Sequence, residues 1–281
     1  MILEKIYRFF ICTADPPLFL GKLHIFVLLA TSFGTFFAVK KYKNAPEKEV
    51  RRFLLALWII VAINEVYRAV VFSLFLTDSG FVWDYNWGQF PLQLCSSQLY
   101  FLPFVVFLKE GKPRDGIMCF LCTWSLFGGL AVTIYPGNTL TEHVGINLQS
   151  MIHHSIQVIV GILLAYRNIE RMNKNTFIRA LNLFFVYFAS AMLFNLSMHH
   201  FLIQERTNDA VNMLFLSPYY ENVIPFLQRI REATSYNVMV FVYVMGILSI
   251  ALIIFAAERA LFSKKHIRIA TIDNKFKQTE L

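Results

Sequence analysis

Charge is scarce in this chain. Of its 281 residues only 16% are Asp, Glu, Lys or Arg, while 57% are apolar, 16% are aromatic and mean hydropathy is +0.52. Soluble domains average about 25% charged and roughly 45–50% apolar residues, so a water-soluble globular fold is set aside at once. Cysteine is sparse as well. Cys12, Cys95, Cys119 and Cys122 are scattered in a way that implies no disulfide framework. The Cys119-x-x-Cys122 pair lies in an apolar stretch without a neighbouring His, which makes it weak as a redox or zinc motif. Membrane di-iron enzymes need His-rich motifs, and neither H-x-x-x-H nor H-x-x-H-H occurs among the seven His, one of which, His266, falls in the tail. Repeats and low-complexity tracts are missing too. The apolar run after Lys5 and Arg8 is cut short by Asp15-Pro16-Pro17, so no cleaved signal peptide is expected.

What the chain does have is long apolar runs. Seven segments, 18–39, 53–76, 90–109, 116–134, 149–166, 177–197 and 236–257, each reach the ~17 residues needed to cross a bilayer. The expectation is an all-α polytopic membrane bundle of about seven transmembrane helices, forming a single integral membrane domain over residues 1–281. Nineteen of the 26 Lys and Arg fall in 40–52, 109–115, 167–179 and the tail from 258. Six fall in the N-terminal segment and in 198–235, and Arg68 lies inside a span. The positive-inside rule then places the N-terminus outside and the C-terminus in the cytoplasm. With its charges distributed by topology, the net +8 gives no reason to expect a nucleic-acid partner. Residues 1–17 read as an interfacial segment with Ile2, Leu3, Ile6, Phe9 and Phe10 on one side. The 198–235 loop, with its amphipathic IPFLQRIRE, reads as an extracytoplasmic lid, and 258–281 as a basic cytoplasmic tail. A multi-pass protein of the plasma membrane is expected. The triplet Asn195-Leu196-Ser197 falls within a span, where it would not serve for glycosylation.

Polar residues inside spans carry the chemistry, because they are costly there. The stretch FPLQLCSSQLYFLPFVVFL (90–108) holds Gln93, Cys95, Ser96, Ser97 and Gln98 in its first half. Entering from outside at about residue 90, it puts Cys95 roughly 8 Å deep at about 1.5 Å per residue. His153 and His154 enter the fifth span at almost the same depth. Arg68 and Glu65 lie roughly 12 and 16 Å below the outer boundary by the same rise. Asn195, His199, His200 and His24 also lie on that side, and the opposite half is expected to be plain hydrocarbon.

Each of these has a plain alternative. A buried Cys is ordinarily an inert small hydrophobe, which fits Cys12, Cys119 and Cys122. Asn64, Glu65 and Arg68 share one helix face, and a fastening ion pair explains them without chemistry. The two His pairs are conceivable metal or haem ligands. Cys95 differs in its setting. Pro91 suits a first helical position, which would bring the thiol near a helix N-terminus. A nearby His that takes the thiol proton completes the logic of a Cys nucleophile. Catalysis, transport or small-molecule binding, and a scaffold with polar helix–helix glue all stay open on this geometry.

Four patches carry a resemblance: NEVYR (64–68), FPLQLC (90–95), IYPG (134–137) with QSMIHHS (149–155), and NDAVNMLFLSP (208–218). In these the chain resembles the bacterial YwaF family and its eukaryotic TMEM-type relatives, polytopic membrane acyltransferases with a Cys/His pair. The chain departs from that pattern at Gln93, where many bacterial members carry His, and at Leu94-Cys95-Ser96, where eukaryotic members carry Pro-Cys-His. The resemblance implies Cys95 as nucleophile and, by register, His154 as its base, with Glu65 and Asn212 as further polar marks. It implies membrane lipids as acyl donor and acceptor, and an acyltransferase or a related thioesterase-like hydrolase. No cofactor and no metal are expected. Arg68, Gln98, His153 and Asn212 are supporting candidates, Gln98 and Asn212 as oxyanion donors alongside the first backbone N–H groups of the third span, with His153 expected to point away from Cys95.

Overall fold

The computed structural model of the chain describes the backbone of residues 2–202 and 210–279 and, apart from Leu3, Asn138 and Leu202, their side chains as far as Ser263. Asn208 and Asp209 of the fourth patch, residues 203–209 of the expected lid and the last two residues of the tail lie outside the described residues.

Helices dominate. A short amphipathic α1 (Ile2–Phe10) leads into α2 (Lys22–Tyr42) and α3 (Glu47–Ser73). Glu47 and Glu49 sit in the first turn of α3, where the helix dipole favours acid. A two-stranded hairpin follows, β1 (Leu74–Thr77) against β2 (Gly80–Trp83). The sequence had assigned this region to the end of a span and a loop. Gly80 takes φ +117° at the turn, a region closed to side chains. Then come α4 (Ser97–Phe107), α5 (Lys112–Phe120), α6 (Leu126–Ile134), α7 (Val144–Asn168), α8 (Lys174–Leu202), α9 (Pro225–Ala233) and α10 (Tyr236–Thr279). A wide π turn over Leu121–Ser125 joins α5 to α6, so Lys112–Ile134 forms one crossing.

The chain is therefore an all-α polytopic membrane bundle. Among the described residues six helices are long and apolar enough to cross a membrane: Lys22–Tyr42, Glu47–Ser73, Lys112–Ile134, Val144–Arg171, Lys174–Phe201 and Tyr236–Ser263. The third expected span is shorter than the sequence suggested. Its helical run, Leu94–Phe107, reaches only ~21 Å of the ~30 Å hydrocarbon at about 1.5 Å per residue. The reason lies at its start. Pro91 disfavours the helical region for Phe90, which is extended at φ −58°, ψ 133°. Gln93 is extended too, and Tyr187 Oη donates to its carbonyl at 2.7 Å. Pro91 is thus not the first helical residue. Cys95 lies in a 3-10 turn, Leu94–Ser96, that precedes α4.

The centre of the bundle is α7. In its membrane window 72% of residues are buried, against 22% for α2, α3 and α8. The outer helices turn Phe33, Phe37, Leu193, Phe241 and Ile253 outward, the surface a bilayer would cover. At the end carrying the charged loops, Glu47 accepts hydrogen bonds from Arg51, Arg114 and Arg167. Below the site, the aromatic rings of Phe120, Trp124, Phe177 and Phe184 stack. The N-terminal segment straps the other end. Tyr7 Oη donates to Leu74 O, Tyr67 Oη to Phe10 O and Ala14 N to Glu142 O, each at 2.8 Å.

Candidate functional site

The elements that carry the polar patches converge on one cavity of about 680 Å³. That is within the ~300–1,000 Å³ of small-molecule sites. Its polar wall holds Glu65 and Arg68 from α3, Gln93 and Cys95 from the extended entry to α4, and Ser150, His153 and His154 from α7. Apolar side chains of α6, α9 and α10 face them, and Gln89, Thr139, Thr141 and Gln149 add further polar lining.

Two glycines let the elements close in. A Cβ on Gly128 would stand 3.3 Å from both the backbone N and the Cα of Cys95. A Cβ on Gly129 would stand 3.0 Å from Gln157 Cβ and 3.2 Å from His154 O. The pair therefore lets α6 lie directly against the Cys95 turn and against α7. A side chain at either position would push the nucleophile candidate or the His-bearing helix away.

The Cys95 turn is held from α7. Its carbonyl accepts hydrogen bonds from His153 Nε2 and Gln157 Nε2, both at 3.0 Å. Gln157 also donates to Ser125 Oγ at 2.8 Å, tying the wide turn to the site. Gln98 Nε2 donates to His153 O at 2.9 Å. His153 thus faces Cys95 and lines the same cavity, against the expectation that it points elsewhere. Because a carbonyl only accepts, His153 carries its proton on Nε2, and its Nδ1 is a buried nitrogen with no hydrogen-bond partner.

His154 has the opposite tautomer. Its Nδ1 lies 2.6 Å from Ser150 O, one helical turn back, so Nδ1 carries the proton. Its Nε2 is then a bare lone pair, buried and without a hydrogen-bond partner. A buried basic nitrogen with its lone pair free is what a general base requires. His24, by contrast, is satisfied on both nitrogens, accepting from Leu20 N at 3.1 Å and donating to Thr133 O at 2.9 Å. It is structural.

Glu65 and Arg68 pair on α3 at 2.6 Å. Arg68 also donates to Gln89 O at 2.6 Å and to Gln89 Oε1 at 3.1 Å. The pair lines the cavity and, through Gln89, also ties α3 to the segment that enters α4. Two proposed oxyanion donors are otherwise engaged. The Gln98 amide gives one N–H to His153 O, Asn212 Nδ2 donates to Glu221 O at 3.3 Å within its own loop, and neither residue lines the cavity. Asn212 supports the site through its backbone, whose carbonyl accepts from Gln93 Nε2 at 2.9 Å. Asn195 holds Met213 by both backbone groups, at 2.7 and 3.0 Å, and His199 stacks on Tyr219. Among the described residues no group of three or more His, Cys, Asp or Glu is placed to hold a metal ion.

Gln157 escaped the sequence reading. Its signal was available: Ser150, His153, His154 and Gln157 recur at helical spacing within an apolar run. A single polar stripe on a central helix is more informative than any member alone.

A multi-pass helical bundle with a buried cavity, a thiol and a bare imidazole nitrogen defines the class: a polytopic membrane protein with a built internal site. The family model of the TMEM164 family matches residues 19–257, and the chain belongs to that family. No curated protein and no solved structure gives a significant match.

Proposed function

We propose that the protein is a membrane-embedded acyltransferase of the YwaF-like type, acting on lipid acyl esters with Cys95 as nucleophile and His154 as base. The observation that carries this reading is the tautomer of His154. Ser150 O fixes the proton on Nδ1, and Nε2 is left bare in the cavity that Cys95 lines.

The steps follow from those groups. Cys95 Sγ attacks the ester carbonyl as His154 Nε2 takes the thiol proton, forming a C–S bond. The tetrahedral adduct collapses, the ester C–O bond breaks, and the imidazolium returns that proton to the departing alkoxide. An acceptor hydroxyl then gives its proton to His154 and attacks the thioester. The thiolate leaves and regains the proton, and the acyl chain has moved to a new oxygen. With water as acceptor the same steps release a free fatty acid. Backbone N–H groups at the start of the Leu94–Phe107 run are the donors we assign to the oxyanion, since neither Gln98 nor Asn212 lines the cavity. His153 and Gln157 position the nucleophile by gripping its carbonyl from one helix.

Purified protein in lipid vesicles, given a phospholipid with a labelled acyl chain and a lysolipid acceptor, tests this. Transfer that needs both Cys95 and His154 supports the reading. Transfer that survives Cys95→Ala overturns it, and labelled fatty acid in place of labelled phospholipid assigns the hydrolase form.

A further inference from the structure

The cavity has an aqueous side and a lipid side, and the two are built differently. On the polar side, the described part of the loop around Met213 is packed into the bundle. Met213, Leu214 and Leu216 are at most 1% exposed, and Asn195 pins Met213 from α8. On the other side the apolar wall runs out between α6 and α10. Gly128 and Ala131 face the cavity one turn apart on α6, while Gly246, Ile247 and Ile250 do so on α10. Ala131 and Gly246 are exposed, and a Cβ added at Gly246 would meet nothing within 4 Å. Deeper in, α10 packs against the wide turn Leu121–Ser125 and closes the gap. From Gly128 to the end of α6 the opening is ~9 Å tall at about 1.5 Å per residue.

We propose that this gap is a lateral portal through which the acyl chain of a bilayer lipid reaches Cys95, with Gly246 and Ala131 setting its width. The proposal rests on the reading of the cavity as a lipid site, and three features commit it to an acyl chain. The walls of the gap are apolar, it opens on the side that a bilayer covers, and its inner end meets the unpartnered nitrogens of His153 and His154. A lipid held this way keeps its chain among α6 and α10 side chains while its ester lies at the polar wall.

The test compares two thiol reagents on the full chain in vesicles, with labelling at Cys95 read by peptide mass spectrometry. N-Dodecylmaleimide carries the chain that the portal would admit. N-Methylmaleimide reports the reactivity of the thiol itself. Gly246→Trp narrows the gap from α10, and Ala131→Trp narrows it from α6, so the conclusion does not hang on one variant folding. Each should slow dodecyl labelling at least about tenfold, the scale on which a pocket rejects excess bulk, and leave methyl labelling within about twofold. Equal slowing of both reagents, slowing of neither, or a wild-type Cys95 that never reacts with the dodecyl reagent overturns the portal. Portal-dependent labelling in a protein that transfers no acyl chain leaves the portal standing and removes the acyltransferase reading instead.

Discussion

The two halves of this bundle treat polar groups in opposite ways. At the charged-loop end, opposite charges are paired: Glu47 gathers Arg51, Arg114 and Arg167, Glu110 takes Arg171 at 2.7 Å, and aromatic rings fill the space above them. At the other end, polar atoms are left over. His153 Nδ1, His154 Nε2 and Gln93 Oε1 are buried without partners around a cavity. Each such atom costs about 1–3 kcal/mol, which a fold tolerates where a ligand or a reaction uses it. Arg114 Nη1, Asp115 Oδ1, Trp124 Nε1 and, with both carboxylate oxygens, Glu258 are exceptions at the charged-loop end. The sequence had put Glu258 in the cytoplasmic tail, but α10 carries it as a 6%-exposed residue with both oxygens unpartnered. That half is not the plain hydrocarbon expected.

Breaking this contrast gives graded effects. The largest falls at the site: Cys95→Ala or His154→Ala should lower acyl transfer at least about a thousandfold, as for nucleophile and base acting as a unit. Glu65→Gln should come next, destabilising the protein by about 1–3 kcal/mol through a half-buried Arg68 without its counter-charge. Thermal unfolding of that variant against Glu65→Met with Arg68→Met checks it, because the double change should recover most of the loss. Normal stability with lost transfer would instead move Glu65 into the chemistry. Gln157→Leu removes one of two donors to the Cys95 carbonyl and should cost transfer about fivefold in kcat, with KM unchanged, for a bond worth about 1 kcal/mol. Glu258→Met should stabilise by about 1–3 kcal/mol, since it removes an unsatisfied carboxyl and keeps its volume. A rise of several degrees in Tm would show it.

The smallest effect belongs to Glu110. The hydrogen-bonded Arg171 guanidinium holds its carboxyl below the usual value, so the pair contributes above the unfolded pKa and loses that contribution as pH falls through the lower folded one. Glu110 lies at the surface, so Glu110→Gln should leave Tm at pH 7 unchanged within error.

Much of this was legible from hydropathy, because a bilayer makes every backbone group satisfy itself within a helix. The spans of α2, α3, α7, α8 and α10 lie within a few residues of their apolar runs. Where irregular backbone is held by partners far off in sequence, the reading failed. The entry to α4 is extended because Phe90 precedes Pro91, Tyr187 Oη bonds Gln93 O, and Gln93 Nε2 reaches Asn212 O. No local pattern announces those last two partners. Depth alone brought Cys95 together with His153 and His154, yet it could not tell which His faces the Cys95 backbone. That depends on helix rotation and on tautomers fixed by Cys95 O and Ser150 O.

Chemical capture of the intermediate tests the central claim most directly. Purified protein is mixed with a phospholipid bearing an isotopically labelled acyl chain, quenched in acid, digested and analysed by mass spectrometry. The account predicts the labelled acyl group on the peptide containing Cys95, released by hydroxylamine at neutral pH and strongly reduced in His154→Ala. Acyl transfer that proceeds at full rate while Cys95 never carries the label would contradict it.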